Sequence, residues 1–214
     1  MELEPKDFLE PFWKMDEQKR KEKDFMSLID SKDSLEEIKI SILQALNRAG
    51  NDSRSAFRFI ILNTIAEAYP NSRYVVLRKF NKESTELTIY TDFRSHKIKE
   101  ISNNPNVSVL AYDKQKKFQI KLVAKAAIHH QDEIANAHWS ALEGGKESYN
   151  TSANPGKQVD SLEDAHQMKS NFDDKYFAVL VLKVSQLECL QLDGDGHIRV
   201  LFDFENDQSS FLVP

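Results

Sequence analysis

Arg73, Arg78, Arg94, His96 and Lys97 stand close together in the sequence, with the hydroxyls of Thr91 and Ser95 among them. Guanidinium and ammonium groups beside hydroxyl donors suit a phosphate, because charge-assisted and bidentate hydrogen bonds are the strong ones. The stretches that carry them, Arg73-Tyr-Val-Val-Leu-Arg78 and Ile89-Tyr-Thr-Asp-Phe-Arg-Ser-His-Lys97, each have a strand-like apolar core. The polar connector Asn81-Lys-Glu-Ser-Thr85 would let the two lie side by side as a hairpin, with the cations converging at one edge of a sheet. The same side chains would serve as surface charges paired with the abundant Asp and Glu, and by themselves they do not separate the two readings.

The whole chain narrows the choice. A formal net charge of −5 over 214 residues argues against a general nucleic-acid binder and makes the cationic stretch a local exception. That contrast points to a small anionic ligand. No apolar run is long enough to span a bilayer, and Glu2, Glu4, Lys6 and Asp7 follow Met1 where a signal peptide would be apolar. The expected setting is cytoplasmic, with neither nucleic acid nor membrane as partner. The single cysteine, Cys189, excludes an intrachain disulfide and reads as a buried structural thiol.

The elements that must position the cations can be drawn from the patterning. Residues 1–33 are charge-rich with aromatic anchors at Phe8 and Phe12-Trp13, and the run from Lys14 to Lys23 reads as a solvated helical face. Ser34 and Glu37 form a capping-box spacing, followed by Leu35, Ile38, Ile42, Ala45, Leu46 and Ala49 at helical period and Gly50 as a stop. Residues 1–50 are therefore expected as an N-terminal helical segment packed on a domain spanning 51–214. Strands are expected at Ala56–Leu62, Tyr74–Phe80, Glu86–Tyr90, Val107–Tyr112, Phe118–Ile128 (the longest), Tyr176–Val184, Leu187–Leu192, His197–Phe204 and Phe211–Val213. Thr91-Asp92 is expected to cap a helix over 93–102, and 132–142 forms a further helix. Residues 144–175 read as a long, partly irregular segment, and Asp193-Gly-Asp-Gly196 as a hairpin turn that lacks the rest of a calcium loop. His129 and His130, adjacent on a strand, point to opposite faces and do not chelate, so no metal is expected. Many short antiparallel strands with a few helices give an α+β class and a closed sheet of six to eight strands with helices outside.

In that setting the chain resembles the FMN-binding split-barrel family of pyridoxamine 5′-phosphate oxidase. The resemblance rests on Arg73-Tyr-Val-Val-Leu-Arg78, Tyr90-Thr-Asp-Phe-Arg-Ser-His-Lys97, Asn103-Asn-Pro-Asn-Val107 and Gln119-Ile-Lys121, in that order. It implies FMN as cofactor at a homodimer interface, with Arg73 and the backbone of Val76, Leu77 and Arg78 along the ring and ribityl chain. Tyr90 falls in the same motif; Thr91, Arg94, Ser95, His96 and Lys97 belong to the phosphate end, and Gln119 to the ring. Where the family has Ser-Arg-Lys, His96 takes the middle place. Its C-terminal Trp is matched by Leu190, and its substrate-binding Arg-x-His by His197-Ile-Arg199 with the two types exchanged. Leu201 stands where a flavin-contacting Arg is expected. The resemblance thus implies an FMN-dependent oxidoreductase of unstated substrate, moving electrons or hydride through flavin N5. The alternatives are a non-catalytic flavin-binding or sensing module, the oxidase itself, and a partner-binding barrel that has lost its ligand.

Overall fold

The computed structural model describes residues 27–169, 171–194 and 196–214, so the expectations for Phe8, Phe12-Trp13 and the charged run before Lys23 lie outside the described residues. Helix α1 (Leu35–Asn51) starts at the expected capping box. The Ser34 Oγ accepts from the Glu37 N–H at 3.3 Å, and the Glu37 carboxylate accepts from the Ser34 N–H at 2.8 Å. Its apolar stripe, Ile38, Ile42, Leu46 and Ala49, is fully buried.

Eight antiparallel strands follow: β1 (Phe59–Ile65), β2 (Pro70–Asn81), β3 (Glu86–Asp92), β4 (Asn106–Asp113), β5 (Phe118–His130), β6 (Phe177–Gln191), β7 (Ile198–Asp203) and β8 (Gln208–Leu212). They order as β3-β2-β1-β4-β5-β6-β7-β8, and β3 also pairs with β6. Six strands therefore close into a barrel, with β7 and β8 as an extension. Strand β6 makes this possible. Along one side it pairs with β5 throughout; on the other its first half, Phe177–Lys183, pairs with β3 and its second half, Gln186–Gln191, with β7. The change of partner falls at Ser185, which is skipped in the β5 register as a bulge. Alternation along the strands buries Ile60, Leu62, Leu77, Leu87, Ile89, Leu122 and Leu182 inside the barrel with the α1 stripe.

Helix α1 lies directly on β2. A Cβ built on Gly50 would stand 3.0 Å from the Lys79 Cα, so only glycine admits this approach. Arg58 ties the two elements: its Nη1 donates to the carbonyls of Ala49 (3.2 Å), Gly50 (2.6 Å) and Leu77 (2.7 Å). Gly50→Ala should gain helix propensity but force helix and strand apart, with a net loss of about 1–3 kcal/mol in urea unfolding.

Helix α2 (His96–Asn103) leaves β3 for β4, and helix α3 (Glu133–Ser140) follows β5. The segment 144–175 holds a 3-10 turn (Lys146–Tyr149) and the short helix α4 (Leu162–Ala165). Ala135, Tyr149, Phe177 and Val179, with Trp139 and Tyr90 against them, form a second small core that fixes α3 and the turn to the outside of the barrel.

Four expectations are corrected. Strand β1 starts three residues later than the apolar run, because Phe57 is a buried anchor ahead of it and Arg58 serves α1. The residue ahead of α2 is Ser95; Thr91 and Asp92 complete β3 instead. The two strands expected from Tyr176 to Leu192 are one bulged strand, and this strand, not β5, is the longest.

Candidate functional site: an anion cradle at the mouth of the barrel

The inward side chains of β2 and β3 at one barrel mouth are Arg73 and Thr91, and α2 starts beside them. Lys97 Nζ donates to Thr91 Oγ1 at 3.0 Å, and Thr91 Oγ1 lies 3.3 Å from Ser95 Oγ. Thr91 and Ser95 are buried, and the Ser95 side chain makes no cap bond to α2; its hydroxyl lies against Thr91. Burial pushes the Lys97 ammonium below its ordinary range, and the Arg73 charge adds to this; Asp92 and Glu100 oppose it. Among the described residues no carboxylate lies within ion-pair distance of Lys97. A half-buried ammonium without a counter-ion, two hydroxyls and the first turn of a helix together fit a phosphate monoester such as that of FMN.

Arg73 is held from behind. Its Nη2 donates to Glu100 Oε2 at 2.8 Å, and its Nη1 donates to Thr64 Oγ1 and, at 3.4 Å, to the Leu62 carbonyl. Glu100 also accepts from Thr64 Oγ1 at 2.5 Å and from Asn71 Nδ2 at 2.8 Å. Burial pushes the Glu100 carboxyl up, but the bonds from Thr64 and Asn71 and the Arg73 charge outweigh it and hold the group below its ordinary range. Glu100, Thr64 and Asn71 carry no motif of their own. The one signal that points to Glu100 is helical spacing, which puts it one turn from Lys97 on the same face of α2.

The remaining cations do not join the cradle. Arg78 is the extra residue of a bulge, since Leu77 pairs with Ile89 and Lys79 with Thr88. It turns to the outer face, where its guanidinium lies 5.3 Å from the Tyr90 ring centroid and interacts with the Tyr149 hydroxyl. Its Nε is buried without a partner among the described residues. Tyr90 donates to or accepts from His138 Nδ1 at 2.9 Å. Arg94 is committed elsewhere: it forms a two-point ion pair with Asp92 (2.7 and 3.0 Å), donates to Thr151 and stacks 3.8 Å over Tyr176. It is a clasp that fixes segment 144–175 beside the cradle. His96 is exposed at the start of α2 and faces Gly156 of the same segment. The Leu77 side chain is fully buried in the core, and its backbone N–H and carbonyl are both taken by Arg58. Val76 pairs with Phe59 at the outer face.

Gln119, His197 and Arg199 lie at the other end of the molecule. Gln119 and Arg199 flank Leu190 across β5, β6 and β7, whereas Thr91 pairs with Ala178 near the start of β6. Between Ala178 and Leu190 runs roughly 40 Å of strand at ~3.3 Å per residue. Arg199 is bound to Glu188 through Nε (3.0 Å) and Nη2 (2.7 Å), with Lys121 at 3.6 Å from the same carboxylate. His197 Nδ1 accepts from the Asp193 N–H and serves the turn. His130 stacks on Phe93, His129 bonds to Asp132, and among the described residues no group of three or more His, Cys, Asp or Glu is placed to hold a metal. Cys189 is buried, and burial pushes its thiol up to about 12.

The six-stranded barrel with this cradle at one mouth has counterparts among known proteins. Residues 39–130 match the family described as pyridoxamine 5′-phosphate oxidase, FMN-binding domain. Among solved structures, a pyridoxamine 5′-phosphate oxidase-related, FMN binding protein from Nostoc punctiforme is 21% identical with a TM-score of 0.67, covering 82% of this chain and 95% of that one. PhzG from Burkholderia lata, solved in complex with tetrahydrophenazine-1-carboxylic acid, is 18% identical with a TM-score of 0.66, over 82% and 92% of the two chains. A protein related to general stress protein 26 from Clostridium acetobutylicum is 15% identical with a TM-score of 0.52, over 78% and 97%. At these identities the likeness concerns the fold. No curated protein matches the chain.

Proposed function

We propose that the protein is an FMN-dependent oxidoreductase that works as a homodimer, with the FMN phosphate held by Lys97, Thr91, Ser95 and Arg73. The observation that carries this is the half-buried, carboxylate-free Lys97 ammonium at the start of α2. FMN supplies the electron-accepting ring. The chain's own residues bind and orient it: the cradle fixes the phosphate, and Arg78, beside Tyr90 on the outer face, is a cation for a ring oxygen or a substrate anion. Gln119, on β5 opposite Leu190, stands too far from Thr91 to meet a ligand in the same chain's cradle, so its expected place at the ring requires a second copy. The outer sheet face offers a surface for one, with Phe59, Tyr74 and Tyr112 58%, 72% and 47% exposed.

Oxidation of pyridoxine phosphate is disfavoured, because Arg199 is neutralised by Glu188 and Leu201 offers no cation. The purified protein, incubated with FMN and desalted, should show oxidised flavin bands that bleach with a reductant such as NADPH. A colourless protein that takes up no FMN would remove the reading, and flavin that is retained but never turned over would favour the sensing alternative. Pyridoxal phosphate formation should be absent or slight. Phe59→Asp with Tyr112→Asp should shift the light-scattering mass from dimer to monomer and weaken FMN retention with it.

A further inference from the structure

We infer that Glu100 is a positioning residue that presents Arg73 to the cofactor phosphate, and that it thereby sets the preference of the site for FMN over unphosphorylated riboflavin. The inference rests on the cradle assigned above. Without a carboxylate, two cations, Arg73 and Lys97, would face each other at the barrel mouth; the Arg73 charge already helps push Lys97 downward. An arginine in that position relieves the repulsion by swinging into solvent, and a cradle that must draw it back on binding loses affinity. Glu100 prevents this. Its side chain is 12% exposed and that of Arg73 19%, and the carboxylate collects three donors from two strands: Thr64 Oγ1, Asn71 Nδ2 and Arg73 Nη2. Thr64, itself buried, takes the other arm of the guanidinium, so the plane of the group is fixed at both ends. Both Nη1 hydrogens and one Nη2 hydrogen are occupied in this way. The Nε hydrogen and the second Nη2 hydrogen are left for a ligand oxygen, a two-point fork suited to phosphate.

A charge simply placed near the phosphate would repel it, and its removal would tighten FMN. A positioning role has the opposite sign. The full-length protein is titrated with FMN and with riboflavin by flavin fluorescence, for wild type, Glu100→Gln, Arg73→Ala and the double variant. Glu100→Gln should raise the Kd for FMN roughly tenfold, the size of a coupled pair of contacts, and leave that for riboflavin unmoved. In the Arg73→Ala background the same substitution should add nothing. Asn71→Ala, which removes one strut and no charge, should weaken FMN in the same direction by less; a thermal melt on each variant shows that it is folded. Unchanged or tighter FMN binding in Glu100→Gln, an equal loss for riboflavin, or additive losses in the double variant would overturn the assignment while the cofactor site stood. A wild type without preference for FMN over riboflavin would overturn both.

Discussion

Replacing Lys97 with methionine should weaken FMN binding by about 10- to 100-fold, the loss of one charge-assisted bond of about 1.5–3 kcal/mol to a phosphate. Riboflavin, which lacks the phosphate, should bind variant and wild type alike. Methionine keeps the aliphatic stem that crosses the barrel mouth, so the thermal midpoint should hold or rise, since the substitution also removes a charge that burial penalises. The pH dependence follows from the same shift. Lys97 in the free protein loses its proton below its ordinary 10.5, so at alkaline pH the cradle must take up a proton to bind FMN. Wild-type affinity should therefore fall as pH climbs toward that value, and the Lys97→Met profile should stay flat over the same range. A parallel decline in both proteins would place the titrating group elsewhere.

Phe118→Ala should have the largest effect on stability, about 3–5 kcal/mol, as for other fully buried aromatic truncations. Phe118 opens β5 with no exposed surface, and its ring meets Phe57 edge-on at 6.5 Å between centroids. It pairs with Gln191 at the end of β6 remote from the cradle. The thermal midpoint should drop by roughly 10 °C, while the FMN affinity of the protein that remains folded should be close to wild type. This pair of variants should separate two jobs of the barrel, ligand binding at Lys97 and stability at Phe118.

What could be read before the fold was known follows the range of the interactions. The capping box at Ser34 and the hairpin at Asn81–Thr85 are local, with their partners a few residues apart, and both appear where the spacing placed them; of the group from Thr91 to Lys97, Thr91, Ser95 and Lys97 come together while Arg94 and His96 turn elsewhere. The order of strands across the closed sheet was legible only as a class, because pairing between β3 and β6 leaves no mark in either strand. The cations show the limit most clearly. Arg73, Arg94 and Arg199 look alike in sequence, yet Glu100, Asp92 and Glu188 claim them in three different ways. One is aimed at the cradle, one clasps a loop and one is neutralised. Two of these acids lie on an element other than that of the arginine they hold, and spacing carries no information about such a pair. The bulge at Arg78 is likewise invisible, since the alternation it breaks is already imperfect.

The two-partner strand β6 also governs when the barrel can exist at all. β3 is complete once the chain has reached Asp92, but the strand that seals its edge begins only at Phe177. During synthesis the first five strands must therefore wait as an open, curling sheet with both edges bare, while α3 and the long segment after it are still being made. Pairings so distant in the chain cost loop entropy before their contacts form, which makes closure late and slow. A ribosome that stalls in that interval would leave β3 and β5 as unpaired apolar edges, templates for another chain. Chaperone capture should accordingly be greatest for nascent chains that stop short of β6 and should fall away once its first half has emerged.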